Sequence, residues 1–186
     1  MTKSQFLSIA YKAHKIGVEH GFWKEECSEA YCLMLVVSEL AEAVEADRKG
    51  KRADRGMFEK LIRGGVPWME AFRVCIKNSI EDELADAVIR LADMAEGKHL
   101  DFPQWDVIEH SMATFGPWGF DMSFCENCWN IVRMLGGLDT IEVRIPQAIF
   151  QIEYLARVIL GVDLLWHIDM KMKFNNGREF MHGKRY

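Results

Sequence analysis

The sequence predicts an all-α fold, a multi-helix bundle. Two observations carry this reading. Apolar residues recur at threes and fours through most of the chain. Gly, Pro, Ser and Asp stand where helix stops and caps belong. A length of 186 residues, 49% hydrophobic and 27% charged, suits a single domain with a sizeable core.

In chain order, Phe6, Ile9, Ala10, Ala13, Ile16 and Gly17 share one helical face, and that helix ends near Gly21. Glu25–Asp47 is a long second helix, apolar around much of its circumference, which argues for a central place. Lys49–Arg55 reads as a basic loop. Gly64-Gly65-Val66-Pro67 is a break, with Pro67 suited to a first helical position. A third main helix follows to about Glu96, starting either there or at an Asn78-Ser79 cap, with Gly97 as its C′ residue. Short helices are expected near 104–113 and 121–134, and Thr140–Ile145 alternates like a strand, though it has nothing to pair with. Helical period returns at Gln147–Leu160. Gly161 and Asp163 then stop one helix and cap the last, which runs through about Phe174.

The charge balance excludes some functions. Lys plus Arg at 23 against Asp plus Glu at 28 gives −5, which disfavours a chain built to grip nucleic acid. The longest apolar run, Ala30–Val37, is too short to span a membrane, and the first residues lack a secretory signal. No nucleic-acid or membrane partner is therefore expected, and the expected compartment is the cytoplasm. Of five cysteines only Cys125 and Cys128 are closely spaced, and no second CxxC completes a zinc site. Idle thiols in a reducing compartment are the expectation.

Glu39 and Glu42 are three residues apart, as are Glu83 and Asp86. On a helix that spacing sets two carboxylates about 5–6 Å apart at Cβ, on one face. Both pairs sit among Val, Leu, Ile and Ala. If the two helices face each other, four carboxylates converge in a poorly solvated groove and repel one another unless a cation joins them. Oxygen ligands suit Mg²⁺, with Mn²⁺ as an alternative. The bland alternative is two solvated faces, with Asp86–Arg90 a helix-spaced ion pair. Glu45, Glu81, Asp82 and Asp93 are nearby acids expected to be solvated or salt-bridged.

The C-terminal segment has the opposite charge. Lys171, Asn175 and Arg178 are spaced i, i+4, i+7 and share a face if the last helix extends that far, although Asn175-Asn176-Gly177 favours a stop. His182 and Lys184 follow. A Lys, an Arg fork and an amide suit the oxygens of a polyphosphate, whereas a solvated tail is the plain alternative. Trp23, after Gly21-Phe22, and His14 are candidates to meet a nucleobase, with core packing the commoner fate.

With these residues in place the sequence resembles the all-α nucleoside triphosphate pyrophosphohydrolases of the MazG-like branch. The resemblance implies a bundle with a four-helix core, and that family carries an ExxE on one helix and an ExxD on a later one. Here they read Glu39-Leu40-Ala41-Glu42 and Glu83-Leu84-Ala85-Asp86. The tail Lys171-Met-Lys-Phe-Asn175-Asn-Gly-Arg178, then His182-Gly-Lys184, looks like the branch's closing motif. Members often place a Glu where this chain has Ser38, and the spacer between motifs is long here. Residues 98–160 fall outside the resemblance and look like an insertion within a domain spanning 1–186.

The resemblance implies Mg²⁺-dependent cleavage of a (deoxy)nucleoside triphosphate to the monophosphate and pyrophosphate. Glu39, Glu42, Glu83 and Asp86 would be metal and catalytic ligands. Lys171, Asn175, Arg178, His182, Lys184, Trp23 and His14 would bind substrate, and the protein would be a homodimer or higher homo-oligomer. Two rival classes stand beside it. One is a non-catalytic helical module binding nucleotide or protein. The other is a di-iron bundle, which would need Glu-x-x-His motifs such as Glu96…His99 and Glu179…His182.

Overall fold

The computed structural model describes residues 1–25, 27–115 and 122–180. Every regular element among them is helical: α1 (Lys3–Glu19), α2 (Glu29–Arg48), α3 (Arg55–Arg63), α4 (Trp68–Cys75), α5 (Ile80–Gly97), α6 (Trp105–Phe115), α7 (Phe124–Leu135), α8 (Ile141–Tyr154), a π-helical turn (Leu155–Ile159) and α9 (Leu164–Asn176). Among the described residues no helix is long and apolar enough to cross a membrane.

The bundle is organised around α5, which packs against α1, α2 and α9. Its residues are buried from Ile80 to Ala95 apart from Asp86, Arg90 and Asp93, which are half-buried. Ala85, Ala87, Ala92 and Ala95 favour the helix and let neighbouring backbones come close. Ser79 starts it, its Oγ accepting from Asp82 N at 3.2 Å. The preceding turn runs through Asn78 at φ 58, a left-handed conformation Asn tolerates. Its N–H donates to Asp82 Oδ2 at 2.9 Å.

Residues 98–160 share this core. Trp105 stacks on Phe6 with ring centres 5.0 Å apart, α7 packs on α2, and α8 packs on α5 and α6. A satellite cluster lies under α3 and α4, where Phe72 stacks on Phe174 of α9 at 4.6 Å. That contact fixes the turn of α9 that carries Lys171 and Asn175.

Several expected boundaries shift. The alternating stretch Thr140–Ile145 is the start of α8, not a strand. Ile141 and Ile145 serve either period, and Ala148, Ile149 and Ile152 continue them as one buried helical stripe. Pro146 lies inside α8 and leaves out one backbone bond. α2 begins after the Ser28 cap rather than at Glu25, and Pro67 is the N-cap of α4 rather than its first residue. Gly97 ends α5 within the helix, and the left-handed position falls to His99 at φ 53. α9 stops at Asn176, so Arg178 lies beyond it.

Candidate functional site

One face of α5 collects the charge. Asp82, Asp86, Arg90 and Asp93 follow one another at steps of four, four and three, with Glu83 beside them. Glu39 of α2 and Lys171 and Asn175 of α9 meet this face from either side. One oxygen each of Glu39, Glu83 and Asp86 lies within 4.8 Å of the other two. Thus one acid of the first expected pair and both of the second converge. Glu42 is exposed and outside this group, although close enough to bias Glu39 electrostatically. Ser38 hydroxyl donates to Leu35 O at 2.7 Å and is engaged by its own helix.

Glu39, Asp82 and Asp86 each have a firm partner. Arg90 Nε donates to Glu39 Oε1 at 3.1 Å. Arg90 thus bonds across to α2 rather than simply closing an intrahelical pair with Asp86. Lys171, only 3% exposed, sets its Nζ 2.6 Å from Asp82 Oδ2 and 2.8 Å from Asp86 Oδ2. Asn175 Nδ2 donates to Asp86 Oδ1 at 3.3 Å, while Asn175 Oδ1 is buried without a hydrogen-bond partner among the described residues. Glu83 is 2% exposed, and its carboxylate makes no hydrogen bond or ion pair among the described residues.

The electrostatics follow. Burial, aided by Asp86, pushes the Glu39 carboxyl up to about 7. Burial pushes Glu83 up to about 8, against the pull of Lys171. Burial also raises Asp82. It works the same way on Asp86, where Lys171 and Arg90 outweigh it and hold the carboxyl below its ordinary range. For Lys171 burial is overcome by Asp86 and Asp82, which raise it and keep it charged. A carboxylate buried without a partner is costly, and either a proton or a cation relieves it.

Beside this cluster is a cavity of about 30 Å³, walled by Phe22, Trp23, Tyr31, Leu35 and Met94, with Arg90 and Asp93 as its charged lining. That volume holds water-sized molecules, so a nucleobase would enter only as side chains move. Trp23 Nε1 donates to Asp93 Oδ1 at 2.8 Å, and His14 Nδ1 lies 2.9 Å from the same oxygen. Both expected base-contact residues therefore sit on one carboxylate, itself raised by burial. Trp23 also packs closely against Gly97, where any Cβ would collide with the indole.

The segment after α9 returns toward this region. Phe180 covers Gly21, where a Cβ would strike its ring, and Lys24 Nζ lies 4.7 Å from the ring centre. Arg178 is lowered by burial, while Asp86 and Glu39 counteract this, so its guanidinium lies within their electrostatic reach. His182 and Lys184 lie outside the described residues. Cys125 is exposed and Cys128 buried, its thiol pushed by burial up to about 12, and neither is in a disulfide. Of the Glu-x-x-His candidates, Glu96 and His99 straddle the end of α5, with His99 exposed.

Sequence reasoning missed Asp82, Arg90 and Asp93 as parts of one assembly. The 4-4-3 spacing along α5 was the available signal. No protein-family model, curated protein or solved structure matches the chain.

Proposed function

We propose that the protein is a Mg²⁺-dependent hydrolase that cleaves nucleoside triphosphates to monophosphate and pyrophosphate. The observation that carries the reading is Glu83, a buried carboxylate without a bond, facing Glu39 and Asp86. Three convergent carboxylate oxygens and no nitrogen or sulfur suit a hard ion such as Mg²⁺ or Mn²⁺. Held by Glu39, Glu83 and Asp86, such an ion would supply charge neutralisation for a triphosphate and acidify the attacking water.

The chain's own residues have distinct tasks in this reading. Glu39 would be a ligand of the ion, and a carboxylate oxygen not engaged with it would take the proton of the attacking water. Arg90 orients that carboxylate through its 3.1 Å bond. Asn175 and Arg178 stand at the edge of the cluster, where an amide and a guanidinium fork can hold phosphate oxygens. The cavity at Trp23 and Asp93 lies on the side where the nucleoside would extend. No nucleophilic Ser or Cys is needed, because phosphoryl transfer depends mainly on position and electrostatics. A homo-oligomer belongs to the same proposal, and light scattering tests it.

The test is a panel of common, deoxy and damaged triphosphates with Mg²⁺, scoring pyrophosphate separately from phosphate. Release of pyrophosphate with monophosphate supports the reading. Nucleotide-dependent stabilisation without turnover would instead favour a binding module.

A further inference from the structure

Lys171 does not stand at the edge of the site, as a phosphate-gripping lysine would. It is buried at 3% exposure and bridges Asp82 and Asp86 at 2.6 and 2.8 Å. Two-metal centres share a carboxylate between ions roughly 3.5–4 Å apart. If Asp86 were that shared ligand, Asp82 would be the second ion's own, and Lys171 Nζ already holds an oxygen of each.

Charge points the same way. Once a bound ion holds all four carboxyls ionised, Glu39, Glu83, Asp82 and Asp86 face Lys171 and Arg90, and four negative groups against two positive ones leave 4 − 2 = 2 negative charges. One divalent ion neutralises that remainder, and a second would overshoot it. Nor is Lys171 easily displaced. Asp82 is fully buried, its Oδ1 has no hydrogen-bond partner among the described residues, and its Oδ2 depends on Lys171 and the Asn78 N–H. Phe174, stacked on Phe72 at 4.6 Å, anchors the same turn of α9.

We propose that Lys171 is a built-in cation occupying the place of a second metal ion, so that the centre takes one divalent ion at Glu39, Glu83 and Asp86. Lys171 is then a positioning residue acting through Asp82 and Asp86, and phosphate contacts fall to Asn175 and Arg178. The inference rests on the metal centre proposed above.

The experiment is a Mn²⁺ titration of the full chain without nucleotide, following the free-ion electron paramagnetic resonance signal. One Mn²⁺ per chain is expected, with the spectrum of an isolated ion even at saturation. Folded Lys171→Met is expected to take up a second Mn²⁺ and to show the splitting of a coupled pair. Two ions per wild-type chain would overturn the role of Lys171 while leaving the metal centre standing, as would a folded Lys171→Met that binds only one. Absence of any bound Mn²⁺ in the wild type would overturn the metal centre itself. The wild-type arm decides the matter even if Lys171→Met does not fold.

Discussion

Trp23 Nε1 donates to Asp93 Oδ1 at 2.8 Å, tying the turn after α1 to the last part of α5. The indole can lie there only because Gly97 has no side chain. Gly97→Ala should therefore destabilise the fold by about 1–3 kcal/mol, the usual cost of overpacking, despite the better helix propensity of Ala. Denaturant unfolding checks this, and an unchanged or higher midpoint would show that Trp23 moves aside freely.

Substitution of Trp23 should act on base choice. Trp23→Phe keeps an aromatic ring but loses the donor to Asp93, leaving His14 as that oxygen's side-chain partner. Relative rates among triphosphates of different bases are expected to change. Inhibition by pyrophosphate, which carries no base, should not.

Arg178 should act on all substrates alike. Removing its fork in Arg178→Ala is expected to weaken triphosphate binding by roughly 1.5–3 kcal/mol, the scale of a charge-assisted hydrogen bond. Calorimetry with several triphosphates checks this, and a loss confined to one base would contradict a phosphate contact.

Stability of the metal-free chain should depend on pH in an unusual direction. Buried carboxyls raised from 4.5 to about 7 at Glu39 and about 8 at Glu83 bind protons more tightly in the folded state. Their contribution is full below the unfolded value and is lost as pH rises through the folded values. In chelator the melting temperature should fall by several degrees from about pH 5 to about pH 8, and Mg²⁺ should offset that fall. A melting temperature that rises across this window would contradict the burial of these acids.

Glu42, the exposed member of the expected first pair, should matter less than Glu39. Glu42→Gln is expected to lower Mn²⁺ affinity by no more than about tenfold, the lower end for a group acting from outside the ligand set, and Glu39→Gln by more. Equal losses would place Glu42 among the ligands.

Much of the helical order was legible because caps are local chemistry. Ser79 and Asp163 each accept a backbone N–H three residues on, and Gly161 takes the positive φ its place suggested. Thr140–Ile145 misled because a six-residue stretch with Ile141, Val143 and Ile145 fits a strand, and the helical period shows only with residues 148–152. In the site, the acidic spacings were legible on each helix alone. The partners were not, because Arg90 bonds across to α2 and Lys171 crosses from α9 to α5. Such pairs are set by helix packing, which local periodicity does not encode.

The most direct measurement compares wild type with Glu83→Gln for pyrophosphate release and for melting temperature in chelator. Above about pH 8, where Glu83 is ionised in the metal-free fold, removing this buried, unpartnered charge should leave the fold as stable or more so, by about 1 kcal/mol, and Mg²⁺-dependent turnover should be abolished. A Glu83→Gln protein that still releases pyrophosphate at the wild-type rate would show that this carboxylate holds no metal and that the proposed centre is wrong.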